Sequence, residues 1–384
     1  MALISILFIA LFFFTLLLGY LMFFKPNSRL LILAVLFIVV FLALLGLTSY
    51  YSIIELDKVE SYGELGPFGD YIGGVLNPLI SVFAVFAAGF AFYAQYQANM
   101  QVQEQFKVQQ FESQFFEMLR LHRANIDEMK IVGYEMITST TIEEGTTGNP
   151  VSKTVTVSRQ PRITEGRKVF VSMITELVAC AEFIRLYNNN WSLKKDNQSI
   201  LKLAYEFFFF GSKSEVVSSK DIEENYIRII GYELNRVSEF HKKSAGDKNR
   251  FHGLNGDPIK LYIKYKPFSG HENRLGHYYR HLYSTVKYVV NKEKEGLINY
   301  KQAREYLKIL RSQMSNDEQL MLYYNYIIGF GKDWENDGYL TKYRMLHNLP
   351  ISRVKYAENP RVHFKDFIDS LKPQDGHLFE WGDL

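Results

Sequence analysis

With 384 residues, 44 basic against 41 acidic side chains and a net charge of +3, the chain has too little charge for electrostatics alone to argue nucleic-acid binding. Its single cysteine, Cys180, excludes an intrachain disulfide, fits a reducing compartment and reads as a small buried side chain on an apolar helix. Hydrophobic residues make up 47% of the chain and are concentrated towards its N-terminus.

That concentration predicts a membrane region over residues 1–98. Ala2–Phe24 is an uncharged apolar run, long enough to cross about 30 Å of hydrocarbon. It lacks the basic start and small-residue cleavage site of a signal peptide. Lys25-Pro-Asn-Ser-Arg29 makes a short basic turn, and Leu30–Tyr51 is a second span. Residues 52–70 form an acidic loop, and a third span covers 72–96. Bases on the 25–29 turn and their scarcity at 52–70 put the turn in the cytoplasm and the loop outside. The rest of the chain is then expected in the cytoplasm.

The third span differs from the others. It opens on Gly66-Pro-Phe-Gly-Asp-Tyr-Ile-Gly-Gly-Val-Leu-Asn-Pro78 and is rich in small residues, among them Gly73, Gly74, Ala84 and Ala88. Ala84 and Ala88 are four apart and share a helix face that allows close helix approach in lipid. Asn77-Pro78 predicts a kink and freed carbonyls. This face is expected to pack on the first two spans, or to self-associate in a homo-oligomer or line a pore.

A stalk helix over 99–130 follows without a breaker. Val102, Phe106, Phe111, Phe115, Met118, Leu119, His122, Ile126 and Met129 recur at helical spacing as one stripe. Residues 131–164 are β-branched and partly alternating around a Glu144-Gly-Thr-Thr-Gly-Asn-Pro150 turn cluster, which predicts an inserted hairpin. From 165 to 384 the pattern is a helical domain, with helices expected near 166–187, 199–211, 221–243, 274–292, 300–313, 316–329 and 338–346 and a loop over 244–270. The fold class is therefore all-α: three transmembrane helices, a long stalk and a cytoplasmic helical bundle carrying a β-hairpin. No βαβ alternation, phosphate-binding glycine loop or zinc-type cysteine spacing occurs, so no cofactor or metal is assigned.

Two stretches carry candidate chemistry. Gly270-His-Glu-Asn-Arg-Leu-Gly-His-Tyr-Tyr-Arg-His-Leu-Tyr283 gathers three of the nine histidines and two arginines. On a helix Arg274, His277 and His281 share a face. His277 and His281 have the spacing of a helical metal pair, but no His-Glu-x-x-His accompanies them. Six residues separate Arg274 from His281, and four separate Arg236 from His241. Such Arg–His spacings are similar to those of HEPN ribonucleases, all-helical domains. There an arginine would stabilise phosphate charge and a histidine would move a proton, so Arg274 and His281 are the catalytic candidates of that reading. His271, His277, Arg280 and Tyr283 are candidates for ligand or partner binding. The competing expectation is a basic, aromatic helix whose polar groups bond within the domain. In Leu310-Arg-Ser-Gln-Met-Ser-Asn-Asp-Glu318, Ser315 and Glu318 have the spacing of a capping box.

Several blocks together resemble a known family. They are Gly66-x-Phe-Gly-Asp-x-x-Gly-Gly-x-Leu-Asn-Pro78, Phe111-Glu-x-x-Phe-Phe116, Gly166-Arg-x-x-Phe170, Tyr205-x-x-x-Phe-Phe-Gly211, the Arg274–Tyr283 run and Leu310-Arg-Ser-Gln-Met-Ser-x-x-Glu318. In this order they resemble the phage abortive infection proteins, the AbiC-like membrane family of bacteria. The resemblance covers about residues 60 to 350, with the hairpin as a local insertion. It implies a multi-pass bacterial inner-membrane protein of antiphage defence. The cytoplasmic domain would sense infection, with a phage component or RNA as trigger or target, and act through the membrane region. A membrane-tethered ribonuclease and a non-enzymatic scaffold that recruits a partner are the alternatives. The resemblance carries over no catalytic residue.

Overall fold

The computed structural model describes residues 29–56, 65–143, 152–191, 195–217, 224–244, 250–252 and 258–380. The chain divides into two compact units, residues 1–107 and 108–384.

The first unit contains helix α1 (Arg29–Leu56) and the greater part of α2 (Leu65–Asp127), a helix of 63 residues that continues into the second unit. Both reach into the stretch expected to be an acidic loop, at residues 52–56 and 65–70. Phe37 and Phe41 of α1 meet Phe83, Phe86 and Phe90 of α2, with ring centroids 4.5–5.9 Å apart. An apolar groove of about 460 Å³ lies between the two helices, lined on the α2 side by Ile80, Ala84 and Ala87 as well as rings. Of the expected packing residues, Ala84 therefore borders α1. Ala88, Gly74, Asn77 and Pro78 are exposed, and Gly73 is half-buried. The helix runs through Pro78, and the Ser81 hydroxyl donates to the Asn77 carbonyl (2.8 Å).

The three expected spans fare differently. Among the described residues one helix, Ile80–Asp127, is long and apolar enough to cross a membrane by length and composition. Within α1 lies a shorter apolar stretch, Val35–Leu44. The stretch 2–24 lies outside the described residues.

The second unit begins on α2. Strands β1 (Lys130–Glu143) and β2 (Ser152–Glu165) follow as an antiparallel pair, longer than the alternating stretches at 138–142 and 151–157 suggest. The Glu144–Pro150 turn cluster lies outside the described residues. Pro161 is tolerated because it faces Tyr134, whose N–H turns away from β2 and donates to the Lys264 carbonyl (2.6 Å). At neighbouring Gly133 a Cβ would stand 1.8 Å from that same carbonyl oxygen, so only glycine fits. Gly133→Ala is expected to cost roughly 3 kcal/mol, the upper end of overpacking penalties, read as a drop in the urea midpoint without a change in slope.

Six longer helices and a small strand pair then build the bundle among the described residues. Helix α3 (Lys168–Trp191) packs on α4 (Asn197–Phe210), and both are apolar along most of their length. Asp196 caps α4 by accepting from the Ser199 N–H (2.8 Å), and Gly211 ends it at φ 97°. Helix α5 (Glu224–Ser244) precedes a small pair, β3 (Arg250–His252) with β4 (Pro258–Lys260), inside the expected 244–270 loop. Helices α6 (Glu272–Lys294), α7 (Tyr300–Ser312) and α8 (Asn316–Ile327) follow. In α8 every residue from Glu318 to Asn325 is buried, which makes it the central helix despite its polar sequence. The Ser315–Glu318 capping box forms: Ser315 Oγ accepts from the Glu318 N–H (3.3 Å), and Glu318 Oε2 accepts from the Ser315 N–H (2.7 Å).

The expected helix at 338–346 is absent. Turns replace it, with Gly338 at φ 68° and Arg344 at φ 61°. Residues 339–341 and 343–346 are all buried, and the left-handed backbone at Gly338 and Arg344 breaks the helical path through them.

Candidate functional site

The histidine- and arginine-rich stretch forms helix α6, with His271 as its N-cap residue. Its apolar positions Leu275, Leu282, Val286 and Val289 are buried, which fixes which polar side chains turn inward. Two buried polar nodes result, one at each end of the 271–281 stretch.

The first centres on Glu176 of α3, whose side chain is fully buried. Its carboxylate accepts from the Tyr265 hydroxyl (2.7 Å), from His271 Nε2 (2.9 Å) and from the Phe268 N–H (2.5 Å). Phe268 has φ 55°, a left-handed conformation that a bulky residue adopts at a cost, and Glu176 holds it there. The base of the hairpin joins this region: the Tyr134 hydroxyl and His241 Nδ1 share a hydrogen bond (2.5 Å). Burial pushes the His241 pKa down and that of Tyr265 well up.

The second node lies where α2, the Gly166-Arg167 turn, α6 and α8 meet. Glu318 accepts from the Tyr278 hydroxyl (3.1 Å), and Arg167 Nε approaches it at 3.8 Å. Burial raises the Glu318 carboxyl pKa, with its hydrogen bonds from Ser315 and Tyr278 and the Arg167 charge opposing that rise. Arg167 also donates to the Gln313 carbonyl (2.6 Å), and Arg123 of α2 donates to the Gln313 side chain (2.7 Å). His281 donates from Nε2 to the Met118 carbonyl of α2 (2.9 Å). Its ring stacks on His122 at 6.0 Å and 11°. His122 is 1% exposed, and neither of its ring nitrogens has a hydrogen-bond partner among the described residues.

Burial first, and then the His281 and Arg167 charges, lower the His122 pKa to about 4. An imidazole depressed in the folded state binds its proton more weakly there than when unfolded. Stability is therefore highest above the ordinary value of 6.5 and falls as pH drops towards about 4. The full effect is of order 3 kcal/mol at the usual 1.36 kcal/mol per unit. His122→Phe is expected to flatten this loss in unfolding midpoints taken between pH 7 and pH 4. An unchanged pH slope would remove His122 as its source.

The sequence-derived candidates fall in different places. Arg274 is half-buried and donates from Nε to the Lys130 carbonyl at the start of β1 (3.1 Å). His281 is bound to Met118, so the two face different elements. His277 and Arg280 are exposed. His271 belongs to the Glu176 node, and Tyr283 is half-buried with its ring edge-on to Trp334 (5.5 Å). Arg236 pairs with Glu233 on the surface (2.7 Å), away from its spacing partner His241 in the interior. Sequence reasoning missed Glu176 and the contact of Arg167 with Glu318. Glu176 had a signal, as the one acid in the apolar run from Val169 to Ala181.

Around these nodes α2 is bound along its length in the second unit. Phe111 and Phe115 are buried against Tyr306 at 4.9 and 5.2 Å, and Phe111 stacks on Tyr288 (5.6 Å). The Tyr306 hydroxyl donates to Glu112 (2.6 Å) and the Tyr288 hydroxyl to Gln114 (3.0 Å). Chemically this is a clamp on a helix: charges are paired or bonded to backbone, and aromatic rings fix its axial position.

Residues 270–354 match the family model described as "Putative phage abortive infection protein". The match takes in the Arg274–Tyr283 and Leu310–Glu318 blocks, which meet at the second node through the hydrogen bond from Tyr278 to Glu318. It supports the resemblance to the AbiC-like family over those residues. No curated protein and no solved structure matches the chain.

Proposed function

We propose that this protein acts in antiphage defence by abortive infection, as a membrane-anchored effector whose cytoplasmic domain senses infection and acts through its membrane region. The observation that carries the reading is α2. One helix supplies the stretch able to cross a membrane and, further along, Phe111, Phe115 and His122 to the core of the helical domain. The family-model match over 270–354 supports the defence role. A cue that shifts the second node acts on α2 through Arg123, Met118 and the aromatic clamp. In this reading the chain crosses the bacterial inner membrane three times, at 2–24, 30–51 and 72–96. Copies associate through the exposed small residues of the third span, with Ala88 among them.

Arg274 and His281 enter the proposal as positioning residues, because each anchors α6 to a backbone carbonyl. Arg274→Ala and His281→Ala are each expected to cost about 1–2 kcal/mol of stability and to leave cellular RNA intact during induced expression. Total RNA degraded by the wild type and spared by both variants would instead establish the ribonuclease reading. The effector reading is tested by a membrane-potential dye in cells induced for the full chain. Loss of potential before growth stops is the expected result. Growth arrest at undiminished potential would sink it.

A further inference from the structure

The last turn of α4 and the segment before α6 cross at two glycines. Gly211 (φ 97°) and Gly270 (φ 89°) allow it: a Cβ at Gly270 would stand 2.8 Å from the Phe210 carbonyl oxygen, and one at Gly211 would stand 3.1 Å from Ser269. The Ser212 N–H donates to the Phe268 carbonyl (2.9 Å), and the His271 N–H donates to that of Phe209 (2.8 Å). From behind, Glu176 fixes Tyr265, Phe268 and His271, and the buried Ser238 hydroxyl donates to the Pro267 carbonyl (2.7 Å).

In front of this wall lies a half-open cavity of about 170 Å³. Its polar lining comes from Ser212, Lys213, Ser214, Asn235, Ser238, Lys266 and Ser269. Lys213 forms no ion pair among the described residues. Lys266 pairs with Glu239 (2.6 Å), and that bond holds the Glu239 carboxyl below its ordinary range. Lys213 and Lys242 act on Glu239 in the same direction, so three lysines stand against Glu239 and the exposed Glu215 that follows Ser214. The volume is below the 300–1,000 Å³ that drug-sized ligands occupy, which excludes a whole nucleoside. Two ammonium groups, an amide and four serine hydroxyls, that of Ser238 already donating to Pro267, suit an anion with several acceptor oxygens better than a flat carboxylate.

We propose that this cavity binds a phosphate or pyrophosphate group, free or at the end of a nucleotide, through Lys213 and Lys266. A bound dianion would compete with Glu239 for Lys266. The site stands apart from the membrane reading, since its test uses purified protein and no phage. The full chain in detergent is titrated at constant ionic strength with inorganic phosphate, pyrophosphate and AMP, and binding is read by calorimetry and by the unfolding midpoint. Saturable pyrophosphate binding, weakened tenfold or more by Lys213→Gln and abolished by Lys213→Gln with Lys266→Gln, is the expected result. AMP binding as tightly as phosphate identifies a nucleotide end as the source, and phosphate binding without AMP binding identifies the free anion. Lys213 is exposed, so its variant folds. No saturable binding to the wild type, or equal binding to wild type and Lys213→Gln, overturns the proposal.

Discussion

Glu176→Ala is expected to destabilise the helical domain by about 3–5 kcal/mol, the range for breaking a buried, fully bonded charge. Three donors depend on that carboxylate: the Tyr265 hydroxyl, the His271 imidazole and the Phe268 N–H. All lie in the interior, where water cannot replace the lost acceptor, and an unmet buried donor costs about 1–3 kcal/mol. Phe268 would also lose the bond that holds its left-handed backbone. Intrinsic-fluorescence unfolding of the full chain in detergent reads the effect. Glu176→Gln should recover part of the loss, because the amide oxygen still accepts a hydrogen bond. A change below about 1 kcal/mol for the alanine variant would mean that the 265–271 segment does not depend on this anchor.

The second large effect concerns the clamp on α2. Phe115→Ala removes a fully buried ring that meets Phe116 and Tyr306, at an expected cost of about 3–5 kcal/mol. Phe111→Ala removes its neighbour, which contacts Tyr288 and Tyr306. The two sites share Tyr306, so their costs are not additive. Phe111→Leu with Phe115→Leu keeps most of the apolar volume and loses the ring geometry, which separates clamping from folding. In the effector reading the leucine pair stays folded in the membrane fraction and loses protection against phage. Full protection by the leucine pair would show that α2 needs only apolar bulk at these positions.

The sequence made much of this legible, for identifiable reasons. The stalk stripe is buried at Phe111, Phe115, His122, Ile126 and Met129 because helical periodicity records which face meets the core. Val102 and Phe106 belong to the same stripe yet are 61% and 65% exposed, since periodicity cannot say where along a helix burial begins. The capping box at Ser315 and Glu318 is a local code and formed as read. Its second use was hidden, because Glu318 also binds Tyr278 from a distant helix. The Arg274–His281 spacing set both residues on one helix. Only tertiary contacts could send one to Lys130 and the other to Met118. The composition of 338–346 is helix-compatible, while left-handed turns at Gly338 and Arg344, which composition does not record, let the segment bury side chains on nearly every side.

In the proposed function the helical domain drives a membrane region through α2. The most direct test is a membrane-potential recording in single cells during phage challenge, comparing wild type with the Phe111→Leu and Phe115→Leu pair at matched membrane abundance. Wild-type cells are expected to depolarise before lysis and release few phage. Cells with the leucine pair are expected to stay polarised and release phage normally. Protection by the wild type with no change in potential, or equal depolarisation by both proteins, would contradict the proposal.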